Sequence, residues 1–264
     1  IYGFPLKYYG LLFGGGLLLS TYILKGIYKR ENLKDNAHEA LFIYGIIGIF
    51  VGARLGHCLF YDFEYYSKNI LEMFLPIKIN QIGEIKFIGY SGLASHGGTI
   101  GLIISLLLYS KKYEIKYLKI LDLIAIVAPL GATFIRLANL MNSEMIGNPT
   151  TMPWAFIFRK VDNLPRHPAQ LYEAIVYFII FIIIFTVYKT KNIKLGNGFM
   201  FGLAITLIFT MRILIEYVKV NQVEFEEGMK LNMGQILSIP FIIIGIYFMG
   251  KNLIKKETKQ KTSH

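Results

Sequence analysis

The sequence carries little charge for its length. Only 17% of its 264 residues are charged, whereas soluble domains carry about 25%, and 54% are hydrophobic. Intrinsic disorder is excluded, because disordered chains are poor in large apolar side chains. The net charge of +11 would suit a nucleic-acid-binding protein, but so apolar a composition would not. We therefore expect a membrane protein without a nucleic-acid partner.

Cysteine is almost absent, since Cys58 is the single one. One cysteine excludes an internal disulfide framework and a multi-cysteine zinc site. No second histidine or carboxylate stands at metal-ligand spacing from His96, so we expect neither a metal ion nor another cofactor. The sequence also lacks a Gly-x-Ser-x-Gly nucleophile elbow and a Gly-x-x-x-x-Gly-Lys phosphate loop. The usual motifs of serine acyl transfer and of P-loop nucleotide binding are therefore missing.

Long apolar stretches dominate the sequence instead. Stretches of about 20 residues, enough to cross a bilayer, occur at approximately 9–27, 41–61, 92–110, 118–138, 170–188, 196–216 and 233–250. No small-residue cleavage pattern follows the first, so we expect a span there rather than a cleavable signal peptide. The predicted fold is an all-α polytopic integral membrane protein with about seven transmembrane helices. It would form a single membrane domain over residues 1–250, followed by a basic tail over residues 251–264.

Positive charge is distributed unevenly between the connecting segments. With Arg54, Arg136 and Arg212 inside the spans set aside, 25 lysines and arginines remain, of which 16 lie in the second, fourth, sixth and last segments. Those segments are also the shorter ones, so their density of lysine and arginine is more than threefold that of the other four segments, as is typical of cytoplasmic loops. We therefore expect the N-terminus outside and the C-terminus in the cytoplasm. The two long loops, at about 62–91 and 139–169, would then be outer loops.

Polar residues recur at one depth of the predicted spans. Each intramembrane arginine costs about 2.5–3.5 kcal/mol even on lenient insertion scales, so each needs a reason. With the predicted orientation, polar residues of six spans fall in the outer half of the membrane, and they are Tyr9, Arg54, His57, Ser95, His96, Arg136, Asn139, Asn142, Arg212, Glu216 and Gln235. This common depth predicts a site at the outer leaflet.

The chemistry of that site follows from its basic groups. Arg212 and Glu216 are four residues apart and would suit a pair that only joins two helices. That interpretation leaves the surplus of intramembrane arginines unexplained, whereas an anion such as a phospholipid phosphate would use their planar donor forks. His96 is the group among them that titrates near neutral pH, although a lone helical histidine is more often structural.

Other conspicuous residues favour packing. Gly48, Gly52 and Gly56 repeat every four residues and predict a face for the close approach of another helix. His57 and Cys58 are interpreted as packing residues.

Motifs follow one another along nearly the whole chain. They are Tyr8-Tyr9-Gly10, Gly52-Ala53-Arg54-Leu55-Gly56 with Phe60-Tyr61, His96-Gly97-Gly98, the run from Arg136 to Gly147, Pro149-Thr150 with Pro153-Trp154, the run from Arg166 to Glu173, Arg212 with Glu216, and the run from Met233 to Ser238. Together they resemble the motifs of the prolipoprotein diacylglyceryl transferase family, and the run from Arg136 is the most specific. The sequence departs from the family pattern at Ala53, Ser95, Ile135, Lys219 and residues 220–222.

The resemblance implies an enzyme of the bacterial plasma (inner) membrane with its active site toward the outer leaflet. It would transfer the diacylglyceryl group of phosphatidylglycerol to the lipobox cysteine in the signal peptide of a preprolipoprotein, releasing glycerol phosphate. His96 would activate the thiol, unless a nearby arginine does so, and Arg136 and Arg212 would bind the phosphate. The residues implied to contact substrate are Tyr9, Arg54, Gly97, Gly98, Asn139, Asn142, Glu144, Gly147, Arg166, Glu216 and Gln235.

A transporter for an anion or a lipid is the alternative, because it would also concentrate arginine in the membrane. Transporters usually contain internal repeats and bind near the midplane. We find no repeat between the halves of this sequence, and the polar residues fall toward one leaflet. A scaffold that only binds lipid is a more distant alternative.

Overall fold

The structure is a computed structural model that describes residues 8–75, 77–79, 84–87, 89, 92–190, 195–220 and 229–261. Seven long helices lie in these residues, and each coincides with a predicted span. They are α1 (Tyr8–Arg30), α2 (Ala37–Phe60), α5 (Ser95–Tyr113), α6 (Tyr117–Asn142), α7 (Ala169–Thr190), α8 (Phe199–Glu216) and α9 (Met233–Lys261). All except α5 are long and apolar enough to cross a membrane. The mostly helical, polytopic fold is thereby confirmed, while the count of seven crossings and the orientation of the termini stay predictions.

Short elements occupy the two long connections. The first contains helices α3 (Phe63–Lys68) and α4 (Ile70–Phe74) and an antiparallel pair of strands, β1 (Ile77–Ile79) and β2 (Ile85–Phe87). The second contains the antiparallel strands β3 (Phe156–Ile157) and β4 (Pro165–Arg166). These connections are therefore structured where they are described.

The chain divides into two compact units, one of residues 28–117 and one of residues 1–27 with 118–264. The predicted organisation as one membrane domain over residues 1–250 stays a prediction. The predicted basic tail begins inside a helix, because α9 continues to Lys261 without a break at residue 250.

Helices α2 and α5 of the unit 28–117 are in backbone contact. A Cβ atom added to Gly52 would lie 2.7 Å from Cα of Gly101, and one added to Gly56 would lie 2.7 Å from Cα of Gly97. A Cβ atom added to Gly48 would lie against Oγ of Ser105 and 2.8 Å from the carbonyl of Gly101. The predicted glycine face is thus confirmed, and α5 supplies the matching small residues.

Replacing Gly52 with alanine is expected to lower the free energy of unfolding by about 1–3 kcal/mol, because the new methyl group meets backbone that cannot move aside. Thermal unfolding in detergent, followed by circular dichroism, measures this change. Gly45→Ala on the same helix is the matched control, since its Cβ would have only Leu102 as a neighbour, at 4.0 Å. Equal melting temperatures for the two variants would contradict the assignment.

The other unit contains a buried aspartate that joins distant segments. Oδ2 of Asp122 on α6 accepts hydrogen bonds from the backbone N–H groups of Gly196 and Gly198 at 2.8 and 3.0 Å, and its Oδ1 accepts one from Phe201 at 3.0 Å. These groups include backbone N–H donors at the start of α8 that have no partner within the helix, and a carboxylate is a good acceptor for them. Asp122 therefore fixes the start of α8 against α6.

Candidate active site

The last turns of α6 carry the first group of polar side chains. Arg136 and Asn139 share a helix face, and Nη1 of Arg136 donates to Oδ1 of Asn139 at 3.4 Å. The side-chain amides of Asn139 and Asn142 donate to the carboxylate of Glu144 at 2.6 and 3.1 Å. Four residues that were predicted to contact the donor lipid or its phosphate are thus joined by hydrogen bonds.

The turn that holds Glu144 is conformationally strained. Ser143 and Met145, on either side of it, have φ angles of 61° and 57°, in a region that residues with a Cβ atom seldom adopt. The carbonyl of Glu144 accepts a hydrogen bond from the side-chain amide of Gln170 on α7. Because such a turn persists only when its surroundings impose it, the exposed Glu144 carboxylate has a fixed position at the end of α6.

A buried ion network lies between α6, α7 and α8. Glu173 of α7 divides its carboxylate between two cations, with Oε2 at 2.8 Å from Nε of Arg136 and Oε1 at 3.2 Å from Nζ of Lys219. Lys219 follows α8, is itself buried, and lies 3.4 Å from Oε2 of Glu216. The charges of the four side chains alternate, so each buried charge has an opposite neighbour.

Arg212 of α8 is the remaining cation of this region. Its side chain is half-buried, and its Nε is buried with no hydrogen-bond partner among the described residues. The ion pairs formed in this unit by those residues use Arg136, Arg166 and Lys219, but not Arg212. A guanidinium without a carboxylate partner in the described part of the chain is suited to bind an anion.

Among the polar residues predicted at one depth, Glu216 is the only acid, and the structure adds a second. Glu173 lies inside the fifth predicted span and binds two of the cations. The alternative of a pair between Arg212 and Glu216 finds no support among the described residues, where Glu216 contacts Lys219. Counting acids inside the predicted spans would have found Glu173.

Gly147 marks the point where three segments cross. Its N–H donates to the carbonyl of His167 at 3.0 Å, and a Cβ atom there would lie 2.5 Å from that carbonyl and 2.8 Å from the carbonyl of Val218. Its own carbonyl accepts from Nη1 of Arg166 at 3.2 Å. Glycine is required here because the backbones approach so closely, and this crossing joins the Glu144 turn to the segment before α7.

Arg166 is held by Asp162, which sequence reasoning missed. Nε and Nη2 of Arg166 donate to Oδ2 of Asp162 at 3.0 and 2.5 Å. The bonds from Arg166 lower the pKa of the Asp162 carboxyl below its usual value. The guanidinium of Arg166 is therefore already paired within the protein.

Gln235 caps α9. It exchanges hydrogen bonds with Asn232, because its N–H donates to Oδ1 of Asn232 and its Oε1 accepts from the Asn232 N–H, both at 3.0 Å. This reciprocal arrangement is a capping box. The Gln235 amide also donates to the carbonyl of Ile213 at 3.2 Å, which ties the start of α9 to α8.

In the unit 28–117, Arg54 binds backbone. It donates to the carbonyls of Met73 at 3.0 Å and Glu72 at 2.6 Å, and its guanidinium lies 4.8 Å from the centre of the Tyr66 ring. The buried Glu72 accepts a hydrogen bond from the hydroxyl of Tyr65 at 2.5 Å, which raises the pKa of Tyr65 to about 12. Arg54 thus ties the end of α2 to the connection that follows it.

His96 is the second residue of α5 and is exposed. Its imidazole makes no hydrogen bond with another residue in the described ranges. Gly97 packs on the backbone of α2, and a Cβ atom at Gly98 would lie 3.4 Å from the carbonyl of Ile49. Tyr9, in the other unit, is half-buried in the first turn of α1 and stacks on Phe13. Of the departures from the family pattern, residues 221 and 222 lie outside the described residues.

Comparison with known proteins assigns the family. A family model described as prolipoprotein diacylglyceryl transferase matches residues 1–250. A phosphatidylglycerol–prolipoprotein diacylglyceryl transferase of Bacteroides fragilis is 54% identical over 94% of this chain and 90% of its own length. Proteins of the same name from Tolumonas auensis and Porphyromonas gingivalis are 43% and 40% identical, over 92% and 100% of this chain and 89% and 94% of their own lengths. The chain therefore belongs to the prolipoprotein diacylglyceryl transferase family of membrane enzymes.

Proposed function

We propose that this protein transfers the diacylglyceryl group of phosphatidylglycerol to the lipobox cysteine of a preprolipoprotein, the first step of bacterial lipoprotein maturation. It acts in the plasma (inner) membrane, with its active site toward the outer leaflet. The observation that carries the proposal beyond family membership is the buried network that neutralises Arg136 and Lys219, while Arg212 has no carboxylate partner among the described residues. Such a cation at the end of a span suits the phosphate of a lipid headgroup.

The proposed reaction is an alkyl transfer. The cysteine sulfur of the substrate forms a bond to the glyceryl carbon that carries the phosphate, the carbon–oxygen bond to that phosphate breaks, and glycerol phosphate leaves with the electron pair. The substrate supplies its own nucleophile, and Cys58 is buried. The protein has to supply a thiolate and to stabilise the leaving phosphate.

Arg136 and Arg212 are the proposed phosphate ligands. Their guanidinium groups can stabilise charge as it develops on the leaving oxygen, which is commonly a large contribution to catalysis. Asn139, Asn142 and Glu144 orient the headgroup, and their mutual hydrogen bonds support this role by fixing them at the end of α6. The other predicted contacts stay predictions, and they are Tyr9, Arg54, Gly97, Gly98, Gly147, Arg166, Glu216 and Gln235.

His96 is the proposed base. A free cysteine thiol has a pKa of about 8.5, so only a few per cent of it is ionised at neutral pH. Lowering the effective pKa of the thiol to neutral pH, by about 1.5 units, requires roughly 2 kcal/mol of stabilisation of the thiolate. The exposure of His96 supports a role in contact with substrate. His96→Gln is therefore expected to lower turnover most at about pH 6–7 and least near pH 9, where the thiol ionises unaided. Turnover that stays close to the wild-type value across this range would assign thiol activation to another group.

The test of the function is a transfer assay with purified protein, phosphatidylglycerol labelled in its glycerol backbone, and a synthetic lipobox peptide. We expect label on the cysteine through a thioether, together with free glycerol phosphate. A peptide with serine in place of the cysteine is the matched control. Movement of labelled lipid or anion across a vesicle membrane without thioether formation would instead support a transporter.

A further inference from the structure

The connection between α6 and α7 forms a hairpin with apolar side chains on its outside. We call residues 152–166 the aromatic hairpin. Its strands pair Phe156 with Arg166 and Ile157 with Pro165. The N–H groups of Val161 and Asp162 donate to the carbonyl of Phe158 at 2.7 and 3.1 Å, and these bonds close the turn. The hairpin is therefore an ordered structure with defined faces.

Two contacts fix the aromatic hairpin relative to the spans. Phe158 is buried, so its side chain packs the hairpin against the rest of the protein. The indole N–H of Trp154 donates to the hydroxyl of Tyr172 at 2.8 Å, and Tyr172 lies in the first turn of α7, a helix able to cross the membrane. The first turn of a membrane-crossing helix lies at the membrane interface, where tryptophan is enriched in membrane proteins.

The outer side chains of the aromatic hairpin are as exposed as apolar side chains of α7. Trp154 is 54% exposed and Ile157 55%, compared with 51% for Ile175 and 46% for Phe178 on α7. Val161 and Leu164 of the same hairpin are also exposed. Several exposed apolar side chains on one short hairpin indicate a contact with a partner or a membrane.

The charge of the aromatic hairpin favours a lipid surface as the partner. Arg159 and Lys160 are exposed at its turn. The one acid of the hairpin, Asp162, is neutralised by Arg166. The exposed tip is therefore cationic and apolar, the combination that binds the headgroup region of a membrane rich in anionic lipid.

We infer that the aromatic hairpin is a membrane-interface anchor that inserts Trp154 and its apolar neighbours among anionic lipid headgroups. The inference goes beyond the transfer reaction and does not depend on it. It adds a consequence, because Arg166 of the hairpin binds the carbonyl of Gly147. The anchor thereby holds the Glu144 turn at the depth of the headgroups.

Trp154 makes the inference directly testable, because it is the only tryptophan in the chain. The purified full-length protein is reconstituted into nanodiscs of phosphatidylcholine with about one third phosphatidylglycerol. Phosphatidylcholine brominated near the headgroup end of its acyl chains is expected to quench about half or more of the tryptophan emission. Lipid brominated near the chain ends quenches less, and aqueous iodide quenches least.

Two variants control the measurement. Trp154→Phe combined with Phe178→Trp moves the tryptophan to the lipid-facing side of α7, so lipid brominated near the chain ends should become the better quencher. Arg159→Ser combined with Lys160→Ser should weaken the quenching of Trp154 emission by brominated lipid. The effect should be largest when phosphatidylglycerol is present. Strong quenching by iodide with none by brominated lipid would overturn the inference. So would resistance to both quenchers, which would show that a second copy or another protein covers the hairpin.

Discussion

Arg212→Ala is expected to lower diacylglyceryl transfer by about 10²- to 10³-fold or more, because one preorganised donor to a developing anion is commonly worth that much. Arg212 has more than one donor to lose, and its buried Nε has no partner among the described residues. Removing the side chain leaves the network of Glu173 and Lys219 intact, so the fold should survive. Initial rates with saturating lipobox peptide and varied phosphatidylglycerol measure the loss.

Controls separate loss of the phosphate ligand from a general loss of charge. Arg212→Lys keeps the charge but not the planar donor fork, so an intermediate activity is expected. Lys111→Ala removes an exposed cation from the last turn of α5 and should leave the rate nearly unchanged. Arg136→Ala should resemble Arg212→Ala. Near-normal turnover in both alanine variants would refute the proposed phosphate ligands.

Glu173→Gln is expected to lower turnover by about 10- to 100-fold and the free energy of unfolding by about 3 kcal/mol, because breaking a buried ion pair strands its partners. Glutamine keeps the size of the side chain but presents only one acceptor oxygen, whereas Glu173 holds Arg136 and Lys219 with two. Arg136 then loses the contact that orients it toward the phosphate. Glu39→Gln, at an exposed carboxylate of α2, is the matched control.

A double variant shows whether Glu173 orients Arg136 or only balances buried charge. Adding Lys219→Met to Glu173→Gln restores the balance of buried charge, but it also removes the cation that Glu216 contacts, so stability should fall below that of Glu173→Gln alone. Turnover should stay low, since Arg136 still lacks its carboxylate partner. Full recovery of turnover in the double variant would mean that Glu173 only balances charge.

Sequence reasoning located the helices well, because the length of an apolar stretch is a local property. The glycine face of Gly48, Gly52 and Gly56 was predictable for the same reason, since it depends on spacing within one helix. The grouping of Arg136 with Asn139 likewise follows from helical periodicity.

Partners on different helices were much less predictable. Glu216 is spaced suitably for both Arg212 and Lys219, and nothing in the local sequence shows that it contacts Lys219. Glu173 binds two cations from other elements, and the resemblance identified its motif but not its partners. The hydrogen bonds from Arg54 and Gln235 to backbone carbonyls were not predictable either, because only the tertiary contacts reveal them.

Asp122 has a consequence for how the chain is made. Its hydrogen-bond donors lie 74 to 79 residues further along the sequence. At about 5–20 residues per second, the ribosome needs roughly 4 to 15 seconds to synthesise that interval. During this time α6 enters the membrane with a carboxylate that has none of its three final partners. The contact between α6 and α8 is therefore a late event of biogenesis, and an insertion machinery that shelters α6 until α8 emerges would shorten the exposure of Asp122 to lipid.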